Sequence, residues 1–334
     1  MTRSLDIAAL VVAAALAGPA TAQDALETLH LQLPVGCEIG TTCFVQHYVD
    51  QDPSDGARDY RCGTLTYDGH DGTDFRVPSL AAQKAGVDVL AAAKGRVLRI
   101  RDGQPDGALA QSGRNAIRGA ECGNGVVIAH EGGFETQYCH LAKGSVVVHP
   151  GDPVEAGQRI GQIGQSGLAE FPHLHLTLRK DGKPVDPFRT GAASDCAGDL
   201  AYWDEAARRA LAYHPGTIIN RGFAAGPVTM AEIEAGTAGA REPGADAPAL
   251  VAFIRAIGLR QGDVQVLTLT APDGKVLAEN RAEPLDRNKA QWMMFSGVRR
   301  PAEGWPAGAF TAHYRVLRAG QPALESAFSI DLKS

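Results

Sequence analysis

Val126-Val127-Ile128-Ala129-His130-Glu131-Gly132-Gly133-Phe134-Glu135-Thr136-Gln137-Tyr138-Cys139-His140-Leu141 consists of two β-prone arms joined by a glycine-containing loop, the pattern of an antiparallel hairpin. On either side of it, short Val/Ile/Leu runs alternate with Gly-rich turns from Thr64 to about Phe188, and Val87 to Ala93 and Gly95 to Arg101 read as further strands. Asp102 to Asn124 has little apolar periodicity and reads as a long surface loop between strands. A helix is expected to begin within Asp199 to Glu205, with an Asp at its N-cap, Leu200, Trp203, Ala207 and Leu211 as its apolar positions and Pro215-Gly216 as its stop. Ala224 to Pro248 looks irregular. Beyond Leu250 alternation returns, with a hairpin turning at Pro272-Asp273-Gly274 and another at Ala319-Gly320. The predicted fold is therefore mainly β: an antiparallel β-sheet domain, a short helix and a small C-terminal β-sandwich. The expected divisions are an export signal over 1–22, an N-terminal disulfide-containing segment over 23–63, the first β domain over 64–198, helix and irregular linker over 199–248, and the sandwich over 249–334.

Composition agrees with a folded, exported chain. Across 334 residues, 44% hydrophobic and 21% charged residues exclude disorder. A net charge of -6, with no run of Lys or Arg longer than two, leaves no electrostatic footprint for nucleic acid. Ile7 to Ala17 is uncharged and is followed by Gly18-Pro19-Ala20-Thr21-Ala22-Gln23, a small-residue cleavage pattern. This apolar stretch is shorter than the roughly 20 residues a bilayer span needs. Cleavage would leave a chain with no membrane span, in the periplasm or outside the cell; the rival reading is an uncleaved anchor. The six cysteines suit an oxidising compartment, and without a C-x-x-C pair a cysteine-based metal site is disfavoured. Cys37 and Cys43 enclose a five-residue loop with Gly40, and Cys122 and Cys139 are placed on opposite arms of the hairpin, so these are two expected bridges; Cys62 with Cys196 follows by elimination.

Ten histidines are present, and those at ligand spacing carry the chemistry. His70 and Asp74 in His70-Asp71-Gly72-Thr73-Asp74 have the same parity, so on extended backbone both point to one face, where Gly69 and Gly72 allow a sharp bend. His173 and His175 share a face of an alternating strand whose other face is Leu174, Leu176 and Leu178. His140 ends the hairpin's second arm. His30, His47, His149, His214 and His313 lack a partner spacing and read as ordinary histidines. Gly164-Gln165-Ser166-Gly167-Leu168 is not a G-x-S-x-G elbow, so Ser166 reads as a turn residue. Asp50 to Asp55 lacks the later Gly and distal Glu of a calcium loop and reads as a solvated acidic loop.

Together these motifs resemble the LytM/lysostaphin-type zinc metallopeptidases, which cleave peptides of bacterial peptidoglycan. The family's H-x-x-x-D matches His70 and Asp74, its Y-x-H-L matches Tyr138 to Leu141, and its H-x-H matches His173 and His175; Asn124-Gly125 and Asp186-Pro187 also fall where the family has similar residues. The resemblance covers roughly Thr64 to Phe188. It implies that His70, Asp74 and His175 hold one zinc ion per chain, with His140 and His173 as catalytic histidines beside it. Three ligands leave a fourth position of a tetrahedral zinc for water, the open geometry of a catalytic rather than a structural site. The implied activity is hydrolysis of peptide bonds in peptidoglycan cross-links. The partner classes it allows are peptidoglycan peptides, other cell-wall hydrolases, and division or envelope proteins. The family also contains members that have lost ligands and act as regulators of wall hydrolases. All five positions are intact here, which favours the enzyme, while the N-terminal segment Leu26 to Arg61 or the 102–124 insertion is a candidate cover for the cleft.

Overall fold

The structure, a computed structural model, describes residues 29–190, 196–198, 200 and 202–333. The expected export signal over 1–22 lies outside these. Among the described residues no helix is long and apolar enough to cross a membrane.

The chain is mainly β. Its strands are β1 (Phe44–His47), β2 (Thr73–Arg76), β3 (Asp88–Leu90), β4 (Gly95–Arg101), β5 (Asn124–Ala129), β6 (Phe134–Leu141), β7 (Pro153–Val154), β8 (Arg159–Gln162), β9 (His173–Lys180), β10 (Lys183–Val185), β11 (Thr217–Ala224), β12 (Ala249–Leu259), β13 (Val264–Thr270), β14 (Val276–Arg281), β15 (Lys289–Arg299), β16 (Gly308–Arg318) and β17 (Gln321–Leu332). Among the described residues, four short α-helices join them: α1 (Leu80–Ala85), α2 (Ala108–Ser112), α3 (Glu205–Ala210) and α4 (Met230–Ala235). The large sheet runs β1-β2-β9-β6-β5-β4-β7, with β10 paired to β9, and every pairing in it is antiparallel. Alternation explains its faces: Leu174, Leu176 and Leu178 of β9 are all fully buried with Phe75, Ile128, Tyr138 and Trp203 in one core. Such burial is the main stabilising term of a sheet domain.

The C-terminal part is a sandwich of a three-stranded sheet, β11-β12-β15, and a four-stranded sheet, β14-β13-β16-β17. Its core holds Leu250, Ile254, Leu267, Leu269, Phe310 and Tyr314. The hairpins expected at Pro272-Asp273-Gly274 and Ala319-Gly320 are β13–β14 and β16–β17.

One local expectation is narrowed and another needs correction. The helix expected to begin within 199–205 is α3, which starts at the end of that stretch, at Glu205, where the Asp204 carboxylate caps the Ala207 amide at 2.7 Å. The stretch 199–248 is not simply helix and irregular linker. It contains β11, which pairs antiparallel with β12 along its length, and α4, which begins with a reciprocal Thr229/Glu232 capping box. A bulge between Ile218 and Asn220 breaks the alternation of β11, and α4 is only six residues long, so apolar periodicity alone does not show them.

All three disulfides join the expected partners: Cys37–Cys43, Cys62–Cys196 and Cys122–Cys139. The sandwich is tied to the large sheet by charge. Glu234 of α4 accepts from Arg76 of β2 at 3.1 Å and also from Arg255 of β12. Both guanidiniums are fully buried, and Arg255 further donates to the Pro78 carbonyl at 2.6 Å.

Candidate metal and catalytic site

Three side chains converge where β2 meets β9. Asp74 and His175 are register partners across these strands, so both project from one face at the same level. His70 arrives differently from the expectation of one extended face: only Asp74 lies on the strand, while His70 sits in the turn before it, after Gly69 with φ 74°. Gly72 is required by close approach, because a Cβ there would lie 2.5 Å from His175 Nε2. The facing atoms form a triangle with His70 Nε2 to Asp74 Oδ1 at 3.2 Å, His175 Nδ1 to Asp74 Oδ1 at 2.9 Å and His70 Nε2 to His175 Nδ1 at 3.2 Å. Ligands about 2.0–2.1 Å from a tetrahedral zinc are separated by about 3.3 Å, so the triangle fits one such ion. The same three residues are the group of His, Cys, Asp and Glu side chains able to hold a metal among the described residues.

The other ring nitrogens are committed. His70 Nδ1 donates to the Tyr48 carbonyl at 2.7 Å, and His175 Nε2 faces Asp71 Oδ1 at 3.2 Å and Thr177 Oγ1 at 3.1 Å. These contacts select the tautomers that leave Nε2 of His70 and Nδ1 of His175 for a metal. Burial works against charge on Asp74, but the nearby His70 and His173 and the hydrogen bonds from His175 and His47 outweigh it and hold the carboxylate well below its usual range. Burial likewise opposes charge on His175, yet its hydrogen bonds to Asp71 and Asp74 raise it to about 9. Without a metal, a proton on His175 supplies the positive charge that Asp74 demands.

His140 and His173 flank the triangle, their ring centroids 4.6 Å apart. His173 Nε2 lies 3.5 Å from Asp74 Oδ1, and its Nδ1 donates to the Phe171 carbonyl at 2.8 Å. His140 occupies a bulge: Asn124 pairs with Leu141 and Val126 with Tyr138, so Cys139 and His140 together oppose Gly125. It takes φ 66°, and its Nδ1 donates to the Ser166 carbonyl at 2.8 Å. Left-handed backbone at a non-glycine residue costs on the order of 1–3 kcal/mol, which surrounding contacts must offset. Here the His140 amide donates to the Cys122 carbonyl at 2.8 Å, and Ser166 Oγ donates to the Leu141 carbonyl at 2.7 Å. Ser166, read from sequence as a turn residue, is thus a fully buried pin for the bulge that carries His140. Burial, then the charges of His173 and His175, push His140 well below the ordinary imidazole value; burial takes His173 down to about 4. Both rings therefore rest neutral, protonated at Nδ1 and with an open acceptor at Nε2.

Residues 68–187 match Peptidase family M23, and all five of these residues fall inside the match. This segment is a peptidase family M23 domain. It is similar to peptidoglycan DD-endopeptidase ShyA of Vibrio cholerae serotype O1, with 34% identity over 120 residues that make 36% of this chain and 22% of that protein. It is also similar to DD-carboxypeptidase/endopeptidase Mpg of Neisseria meningitidis serogroup B, with 42% identity over 65 residues, 20% of this chain and 14% of that protein. The chain thus spans less than a quarter of the length of these relatives. Among solved structures, the catalytic domain of lysostaphin from Staphylococcus simulans aligns with 36% of this chain and 76% of its own at 25% identity, with a TM-score of 0.26.

The M23 site opens into a cavity of about 360 Å³ lined by Tyr67, Asp71, Glu121, His140, His175 and Arg179, among others. No residue of 29–63 lines it. The N-terminal segment instead runs along the sheet edge as β1. A larger cavity of about 610 Å³ continues from Asp71 and is acidic, with Asp50, Asp52, Asp68 and Asp186 in its walls. The 102–124 insertion borders the cleft through Glu121 and Cys122 and is fastened at Asp106, whose carboxylate accepts from the Gln165 amide at 2.6 Å. One histidine set aside in the sequence belongs here: His47 is buried, and its Nδ1 lies 2.9 Å from Asp74 Oδ2. Its 27-residue separation from Asp74 leaves no local spacing to announce it.

Proposed function

We propose that the chain is an exported zinc metalloendopeptidase that hydrolyses peptide bonds in peptidoglycan cross-links. One observation carries this reading: within the segment that matches M23, three ligand atoms at metal-fitting separations lie beside two neutral imidazoles, each with its Nδ1 hydrogen held by a backbone carbonyl. The similarity to relatives named as peptidoglycan endopeptidases supports the substrate class. The domain boundaries follow as 64–198 for the peptidase and a following sandwich.

His70 Nε2, Asp74 Oδ1 and His175 Nδ1 would hold the zinc, which when bound acts as a Lewis acid and lowers the pKa of water. His140 and His173 do the proton work. Each has its Nδ1 hydrogen fixed on a backbone carbonyl, so each keeps its lone pair at Nε2. One imidazole takes the proton of the attacking water and returns it to the leaving amine; an imidazole that has gained a proton becomes a donor for the oxyanion. No covalent enzyme intermediate is needed.

The test is zinc content together with hydrolysis of purified peptidoglycan, for the chain without residues 1–22 and its His175→Ala variant side by side. One zinc per chain and released peptide ends, both lost in the variant, are expected. Zinc bound without any cleavage would overturn the enzymatic assignment.

A further inference from the structure

We infer that the metal centre extends beyond the M23 match into residues 47 and 48, with His47 a positioning residue that keeps Asp74 a one-oxygen ligand; this rests on the ligand set proposed above. In the β1–β2 pairing Phe44 faces Arg76 and Val45 faces Phe75, and regular continuation would place Gln46 opposite Asp74. A bulge makes His47 the partner of Asp74 instead. Bulges re-aim side chains, and this one turns the imidazole onto the face that carries the site while Gln46 donates to the Ala290 carbonyl and accepts from Arg76.

The consequence is a division of labour on one carboxylate. Asp74 Oδ1 faces His70, His175 and His173, whereas Oδ2 points away to His47 Nδ1 at 2.9 Å. An ionised carboxylate only accepts, so Nδ1 carries the hydrogen. Asp74 is almost wholly buried, and Oδ2 without a donor would be a desolvated charge free to swing toward the cation. The next residue secures the neighbouring ligand, since the Tyr48 carbonyl holds His70 Nδ1. Asp50 then fixes the turn, its amide donating to the His70 carbonyl at 2.8 Å and its carboxylate accepting from the Gly69 amide at 3.0 Å. One short stretch therefore orients two of three ligands.

The experiment compares zinc affinity of the full chain, by competition with a chromogenic chelator, for the parent, His47→Leu, His47→Asn and His175→Ala. Asparagine places an N–H near the position of Nδ1 and leucine fills similar space without a donor. Loss of an outer hydrogen-bond partner typically weakens metal binding about 10–100-fold, the effect expected for His47→Leu, while His47→Asn should stay within about threefold of the parent. Parent-like affinity in His47→Leu would overturn the inference. So would an asparagine variant weakened tenfold or more, which keeps the test decisive if the leucine variant does not fold. Undiminished zinc binding by His175→Ala would instead sink the ligand set itself, a separate failure.

Discussion

At the scale of single residues, the site is built from opposed protonation preferences. His175 is raised to about 9 by its carboxylate partners, whereas burial keeps His140 and His173 neutral. Zinc must displace the His175 proton, so affinity should climb about tenfold per pH unit from near 6.5 and level off above about 9. Calorimetry in buffers of different ionisation enthalpy would read the released proton, and pH-independent binding between 6.5 and 8.5 would refute its assignment. For the metal-free fold the sign is opposite: a pKa raised in the folded state stabilises fully below the ordinary value of 6.5 and fades as pH rises through about 9. On the proposed role of His140 as a proton carrier and not a ligand, His140→Ala should leave zinc content unchanged and lower kcat by about 100-fold or more. Parent-rate hydrolysis by that variant would assign the proton work elsewhere.

Among the elements, the hairpin β5–β6 shows how much a strand end can carry. Its two arms and the Glu-Gly-Gly loop follow from alternation and glycine placement, but the bulge at Cys139–His140 does not, because it depends on what lies across the strand. Cys122–Cys139 closes a separation of 17 residues beside that bulge and ties the 102–124 insertion to it. Replacing both cysteines with alanine should cost about 3 kcal/mol, read as a lower urea midpoint, and should also depress kcat by loosening the Cys122 carbonyl that holds His140. Unchanged turnover with reduced stability would show that Ser166 alone holds the histidine. α4 offers a contrast, its start written plainly as Thr229-x-x-Glu232 but masked by a surrounding stretch rich in Ala, Gly, Glu and Pro. Thr229→Ala should lower stability by about 1 kcal/mol in chemical denaturation.

For the whole molecule, the sandwich is joined to the strand that bears Asp74. Arg76 and Arg255 are both fully buried around one carboxylate, and burial lowers Arg76 to about 10 against the opposing pull of Glu234. Glu234→Ala leaves two buried cations facing each other and should cost about 3 kcal/mol or more, measured by thermal unfolding. A loss below about 1 kcal/mol would mean that water reaches the pair. β1, with His47, lies at the same junction, since Gln46 reaches Ala290 of β15. The N-terminal segment thus has a structural place between the two β domains and the site, along the cleft's edge and not across it.

What the sequence determined by itself was local or strongly patterned. Alternation in β9 marked a strand with apolar residues on one side and His173 and His175 on the other, and glycine-bearing turns marked the hairpins. The spacing of His70, Asp74, His140, His173 and His175, taken with the family resemblance, named the candidate centre. Only the tertiary structure decided which oxygen of Asp74 faces the ligands, that His70 stands in a turn, that His140 takes left-handed backbone and that His47 enters at all. Each of these depends on a bulge or a contact between segments far apart in the chain. A one-residue register shift exchanges the faces of a strand without changing its composition, so neither periodicity nor spacing could have shown it.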